Sequence, residues 1–207
     1  MKKILFILVI TALTAGIAEA QKSNTPRQYY TAAWSVALPV FDYSEFIPSV
    51  SVNGAAFQVQ FFLQEKITAG VSFGWNTYYA EVPQALHYSS PEVVVSGTGY
   101  HYLNVMPLKA SVNYFFGTNP KYQPYVGLGL GAAYMTEHAA VQQVNFWDAQ
   151  WGVLAAPEIG IFIPLPYHLG IHFSATYTIN IHLSDFGQTQ LKSIHTIGVA
   201  AGISYLL

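Results

Sequence analysis

The sequence predicts an all-β fold: a transmembrane, antiparallel, up-and-down barrel of eight strands, preceded by a cleaved signal peptide. Three observations carry that expectation. Hydrophobic residues make up 52% of the 207 residues, while charged residues reach only 9%, against about 25% in an ordinary soluble chain. Apolar residues recur with a period of two and not 3.6, the signature of strands. Aromatic residues reach 15%, with 15 Tyr and 13 Phe, a composition suited to a surface that meets lipid and its headgroup edges.

The first segment reads as an address. Lys2 and Lys3 form a positive start, Ile4 to Leu13 an apolar core, and Ala18-Glu19-Ala20 a small-x-small cleavage pattern before Gln21. The apolar run falls well short of the ~20 residues a spanning helix needs. Residues 1–20 are therefore expected to be the signal peptide and 21–207 the barrel domain. Removing Lys2, Lys3 and Glu19 takes the formal net charge from −2 to −3. With no basic stripe, nucleic acid is not an expected partner. The chain has 0 Cys, which excludes a disulfide scaffold, a thiolate metal site, a Cys nucleophile and an N-terminal lipidated Cys.

No later stretch can span as a helix. The best candidate, 151–170, contains Pro157, Glu158, Pro164 and Pro166, and prolines break a helix. A chain that must satisfy its backbone in lipid without helices closes into a barrel.

Eight alternating segments follow in order. Tyr30, Ala32, Trp34, Val36 and Leu38 oppose Thr31, Ala33, Ser35 and Ala37. Phe57, Val59, Phe61 and Leu63 oppose Ala56, Gln58, Gln60 and Phe62. Ile67, Ala69, Val71, Phe73 and Trp75 oppose Thr68, Gly70, Ser72, Gly74 and Asn76. Leu108, Ala110, Val112, Tyr114 and Phe116 oppose Lys109, Ser111, Asn113 and Phe115. Pro124, Val126, Leu128, Leu130, Ala132 and Tyr134 oppose Tyr125, Gly127, Gly129, Gly131 and Ala133. Trp151 through Ile163, taken every second residue, oppose Gly152, Leu154, Ala156, Glu158, Gly160 and Phe162. Leu169 through Ile179 oppose Gly170, His172, Ser174, Thr176, Thr178 and Asn180. Ile197 through Leu207 oppose Thr196, Gly198, Ala200, Gly202 and Ser204. In each segment one face is large and apolar and the other small or polar. A soluble lipocalin-like barrel would need charge on its broad outer face. The apolar face is therefore expected outward, in lipid, and the small face inward.

Short turns (64–66, 117–121, 165–168) alternate with longer connections (41–53, 80–99, 136–150, 181–193), the asymmetry of periplasmic turns and extracellular loops. Two expected aromatic girdles follow: Tyr114, Phe116, Tyr122 and Tyr205 on the periplasmic side, and Trp75, Tyr79, Tyr134, Trp151 and Tyr177 on the outer side. The apolar stretches 92–96 and 141–147 are expected to continue the strands above the membrane as a protruding sheet whose edge could take a partner's strand.

The run Met106-Pro107-Leu108-Lys109-Ala110-Ser111-Val112-Asn113-Tyr114-Phe115-Phe116, followed by Pro124-Tyr125-Val126-Gly127-Leu128-Gly129-Leu130-Gly131, resembles the small OmpA/OmpX-like outer-membrane β-barrel family, in the style of the Bacteroidetes-type outer membrane protein beta-barrel domain. The resemblance covers most of residues 21–207. It implies a Gram-negative outer membrane as the location. Many family members end in Phe; Tyr205-Leu206-Leu207 is a departure, with Tyr205 and Leu207 keeping the outward parity.

Lys109 and Glu158 are charged, mid-strand and on the inward face. Burial makes an unpaired charge very costly, so they are expected to pair across the lumen, near Asn113 and Ser111. His182-Leu183-Ser184 resembles the His-x-Ser element of lipid A deacylases. A His beside a Ser can activate it for ester hydrolysis, but Asp185 and Phe186 depart from that family's pattern. Of the seven His, only His172, His182 and His195 are positioned to meet, and none has metal-ligand spacing. No cofactor or metal is expected. The expected function is a non-enzymatic outer-membrane barrel, structural or partner-binding, free or as a subunit of an assembly. Its partners would be outer-membrane lipid or lipopolysaccharide and another surface protein. The alternatives are a lipid A acyl hydrolase using His182 and Ser184, or a small pore.

Overall fold

The computed structural model describes residues 28–41, 44, 47–90, 93–117, 121–141, 144–182 and 193–207; the side chains of 82–98, 139 and 141–146 lie outside that description. The leader, residues 1–20, and Ser184 with its neighbours lie outside the described residues.

Eight strands are present: β1 (Gln28–Val40), β2 (Ser51–Gln64), β3 (Ile67–Ser90), β4 (Val93–Phe115), β5 (Gln123–Val141), β6 (Val144–Pro164), β7 (Leu169–His182) and β8 (Ser193–Leu206). Each pairs antiparallel with its sequence neighbours. β1 pairs with β8 from Tyr29↔Leu206 to Val40↔His195, which closes the barrel. Closure removes every edge within the ring and satisfies the backbone where water is absent.

The side-chain alternation sorts as the chemistry demands. Trp34, Phe57, Val71, Leu108, Leu130, Val153, Phe173 and Ile203 are exposed, while Thr31, Gln60, Thr68, Ser111, Ala156, His172 and Ser204 are buried. A closed barrel whose exterior between the short turns and the level of Trp75 and Trp151 is apolar and uncharged along its strands is a membrane-spanning one.

Two of the four expected long loops are mostly strand. β3 and β4 form a hairpin reaching Ser90↔Val93, and β5 and β6 one reaching Val141↔Val144. These four strands rise beyond the rest of the barrel as a sheet, here called the wing. The reason is physical. Above the hydrocarbon a strand need not be apolar outward, so the hydrophobic alternation fades at Thr77, Asn104 and Thr136 while the backbone ladder continues.

The interior has three layers. At the short-turn end, Tyr29, Phe62, Phe115, Tyr125, Phe162 and Leu206 pack together. At the wing end, Tyr78, Leu103, Met135, Leu154 and Ile194 form a second apolar cluster. Ile47, from the connection between β1 and β2, is fully buried within it. Between the two lies a polar belt containing Thr31, Gln60, Ser111, Asn113 and Ser204.

Candidate functional site in the barrel interior

The polar belt is organised around one carboxylate. Lys109 on β4 and Glu158 on β6 are separated by β5, whose inward residues between them are glycines. Lys109 lies opposite Gly131, and Glu158 opposite Gly127. A Cβ at Gly129 would stand 2.7 Å from Lys109 Cδ. The missing side chains form a trench along which the lysine stem reaches Glu158. Its Nζ lies 3.3 Å from Glu158 Oε2, with the two side chains 17% and 12% exposed.

Three further groups complete the cluster. Thr176 Oγ1, from β7, donates to Glu158 Oε2 at 3.2 Å. The Tyr125 hydroxyl donates to Glu158 Oε1 at 2.5 Å and lies 2.6 Å from His172 Nε2. A hydroxyl has one proton, so the imidazole Nε2–H is the donor in that second contact. The rings of Tyr125 and His172 also stack, 5.5 Å apart and 16° from parallel. Gly160 makes this possible, since a Cβ there would sit 2.5 Å from the Tyr125 ring.

The structure thus brings Lys109 and Glu158 together, with partners other than Asn113 and Ser111. Ser111 instead accepts from Gln60 Nε2 at 2.7 Å. Tyr125, His172 and Thr176 had the right inward parity in the sequence, but only the register of β5, β6 and β7 shows that they meet Glu158. Beside the cluster is a cavity of about 120 Å³ lined by Thr31, Ser35, Asn76, Lys109, Glu158 and Thr196, among others. It has room for several waters, and the two apolar clusters lie on either side of it along the barrel.

The three late histidines do not meet. His172 lies in the interior toward the short turns. His182 is buried at the opposite end, across from Gly152. His195 is on the outward face, where its Nδ1 lies 2.7 Å from the Tyr177 hydroxyl. The expectation that they could converge is corrected by parity: an odd residue of β8 faces lipid while even residues of β7 face the lumen. Among the described residues no group of three His, Asp or Glu side chains is placed to hold a metal ion.

The chain matches no protein-family profile and no curated protein sequence. Solved structures do resemble it. Neisserial surface protein A, from Neisseria, superposes with a TM-score of 0.57 at 12% identity, over 87% of this chain and 97% of that one. Ail, the attachment invasion locus protein of Yersinia pestis, superposes with a TM-score of 0.50 at 11% identity, over 88% of this chain and 100% of that one. At these identities the likeness is one of fold. Taken with the apolar exterior and closed topology, the fold is that of the small eight-stranded outer-membrane β-barrels of Gram-negative bacteria.

Proposed function

We propose that the chain is a non-enzymatic integral outer-membrane protein that works by binding at its outer surface, as a free surface protein or as a subunit of a larger assembly. Residues 1–20 serve as the export signal and 21–207 as the barrel domain, of the Bacteroidetes-type small barrels. The supporting observation is the wing. β3 pairs with β2 only as far as Trp75, and β6 pairs with β7 only from Gly152. Among the described residues, no strand covers 76–90 of β3 on one side or 144–151 of β6 on the other. Among the described residues of the connection between β1 and β2, Ser49 Oγ donates to Tyr79 O at the first edge. Edges of this length are templates for a partner's strand.

The Lys109–Glu158 cluster acts as an interior strut in this reading. The apolar clusters fill the interior at both ends, as a narrow barrel is normally filled by its own side chains. The hydrolase alternative draws no support from His182, which is buried in the lumen, away from acyl chains. It predicts loss of lipid A acyl chains that Ser184→Ala would abolish.

The natural absence of Cys makes a clean test available. In native membranes, a single cysteine at Glu81 on the wing should crosslink to a partner protein, and one at Val126 in the lipid-facing belt should not. Equal crosslinking at both sites, or none at either, sinks the proposal.

A further inference from the structure

The outward face of the wing carries a second aromatic row that a membrane girdle does not account for. The first row is the girdle: Trp75, then Tyr134 paired with Trp151, whose rings lie 5.2 Å apart. Two residues further along the strands is a polar row. Thr77 Oγ1 donates to Asn104 Oδ1 at 2.7 Å, and Asn104 Nδ2 donates to Thr136 Oγ1 at 3.3 Å. Two residues beyond that, the register aligns Tyr79↔Tyr102, Tyr102↔His138 and His138↔Trp147. Four ring-bearing side chains from four strands thus stand side by side. Tyr79 and Tyr102 are 4.9 Å apart, and His138 and Trp147 6.0 Å. Tyr102 is 39% exposed and Trp147 63%.

The height of this row follows from strand geometry. Four residues at about 3.4 Å each, on strands tilted about 40°, place it roughly 10 Å above the girdle along the membrane normal. That is beyond the acyl chains, where large exposed aromatics have no apolar solvent.

We propose that the row Tyr79–Tyr102–His138–Trp147, with the Thr77–Asn104–Thr136 ladder beneath it, is a binding surface for the neutral saccharide units of glycolipids in the surrounding outer leaflet. A pyranose ring offers a face of C–H groups and a rim of hydroxyls. The C–H face suits the negative face of an aromatic ring, and the hydroxyl rim suits the amide and hydroxyls of the ladder. The occupant's source follows from direction. The row shares its parity with the lipid-facing belt, so it looks sideways at neighbouring leaflet molecules and not upward into the medium. Charge selects sugar over phosphate. Among the described residues no Lys or Arg stands at this surface: Lys66 and Lys121 lie at the short turns and Lys109 in the lumen. Glu81 stands next to the row on β3.

This inference rests on the membrane placement of the barrel, and the test separates the two. The full mature chain is reconstituted in nanodiscs of phosphatidylcholine containing a minor fraction of dephosphorylated lipopolysaccharide. Native mass spectrometry should show that glycolipid enriched on the protein at least fivefold over its share of the disc. Tyr102→Ala and Trp147→Ala should remove the enrichment, and Trp147→Phe, which keeps a ring, should preserve it. Brominated acyl chains should quench a lone Trp at position 151 and leave a lone Trp at 147 bright. The inference is overturned by absent enrichment, by enrichment that requires the phosphates, by equal quenching at 147 and 151, or by tighter binding of free neutral oligosaccharide than of the glycolipid. A dark result at 147 with position 151 unquenched would overturn the membrane placement itself.

Discussion

At the scale of single residues, the interior is governed by the cost of a carboxylate in a narrow, largely enclosed lumen. Glu158 is held by Lys109, Tyr125 and Thr176, and each removal leaves a different debt. Lys109→Met strands the carboxylate, and removing one partner of a buried pair costs about 3 kcal/mol at the low end. Adding Glu158→Gln to that variant removes the stranded charge and should restore much of the loss. Tyr125→Phe takes one partner from Glu158 and one from His172, at about 1–3 kcal/mol. Urea unfolding in phospholipid vesicles measures all three. A double variant less stable than Lys109→Met alone would contradict this account. The two charges were legible in the sequence because they break an inward face that is otherwise uncharged below the wing, where Glu137 is the next buried carboxylate. Tyr125 and His172 were not, because an aromatic or a His on that face looks like ordinary filling until the register is known.

At the scale of elements, small residues and tight turns decide what fits. Gly160 on β6 leaves space for the Tyr125 ring, so Gly160→Ala should displace it from Glu158 and cost about 1–3 kcal/mol by overpacking. Gly198 on β8 borders the central cavity, and a Cβ there would meet nothing closer than 3.4 Å. Gly198→Ala should therefore be nearly silent in the same unfolding measurement, and comparable losses at both positions would refute the packing argument. The β6–β7 turn shows the opposite problem. Tyr167 and His168 both hold φ at 63°, the left-handed region that Asn, Asp and His enter more readily than a bulky side chain such as Tyr. Tyr167→Asn, at an 89% exposed site, suits the turn's preference for Asn and should stabilise the hairpin by about 1 kcal/mol. Strand number and facing could be read from the sequence wherever lipid touches the chain, since lipid enforces the period of two. The upper parts of β3, β4, β5 and β6 could not, since water tolerates Thr77, Asn104 and Thr136 on the outward side.

At the scale of the whole molecule, the two apolar clusters decide what the barrel can conduct. Eight strands enclose a space that side chains can fill, and here the filling is segregated. Phe162 and its neighbours close one end, Leu103, Met135 and Ile47 the other, and the polar cavity lies between. An ion crossing this interior would have to pass two separate, tightly filled layers, the upper one interrupted by few polar side chains such as Asn180. The protein in a planar bilayer should therefore give no steady channel openings. Because the layers act in series, Phe162→Ala alone should stay silent too: it thins one seal and leaves the other intact. Opening should require loss at both ends, as in Phe162→Ala combined with Ile47→Ser and Leu103→Ala. Steady conductance from the unaltered chain, or from the single Phe162 variant, would show that at least one cluster is not a seal and would return a pore to the list of functions.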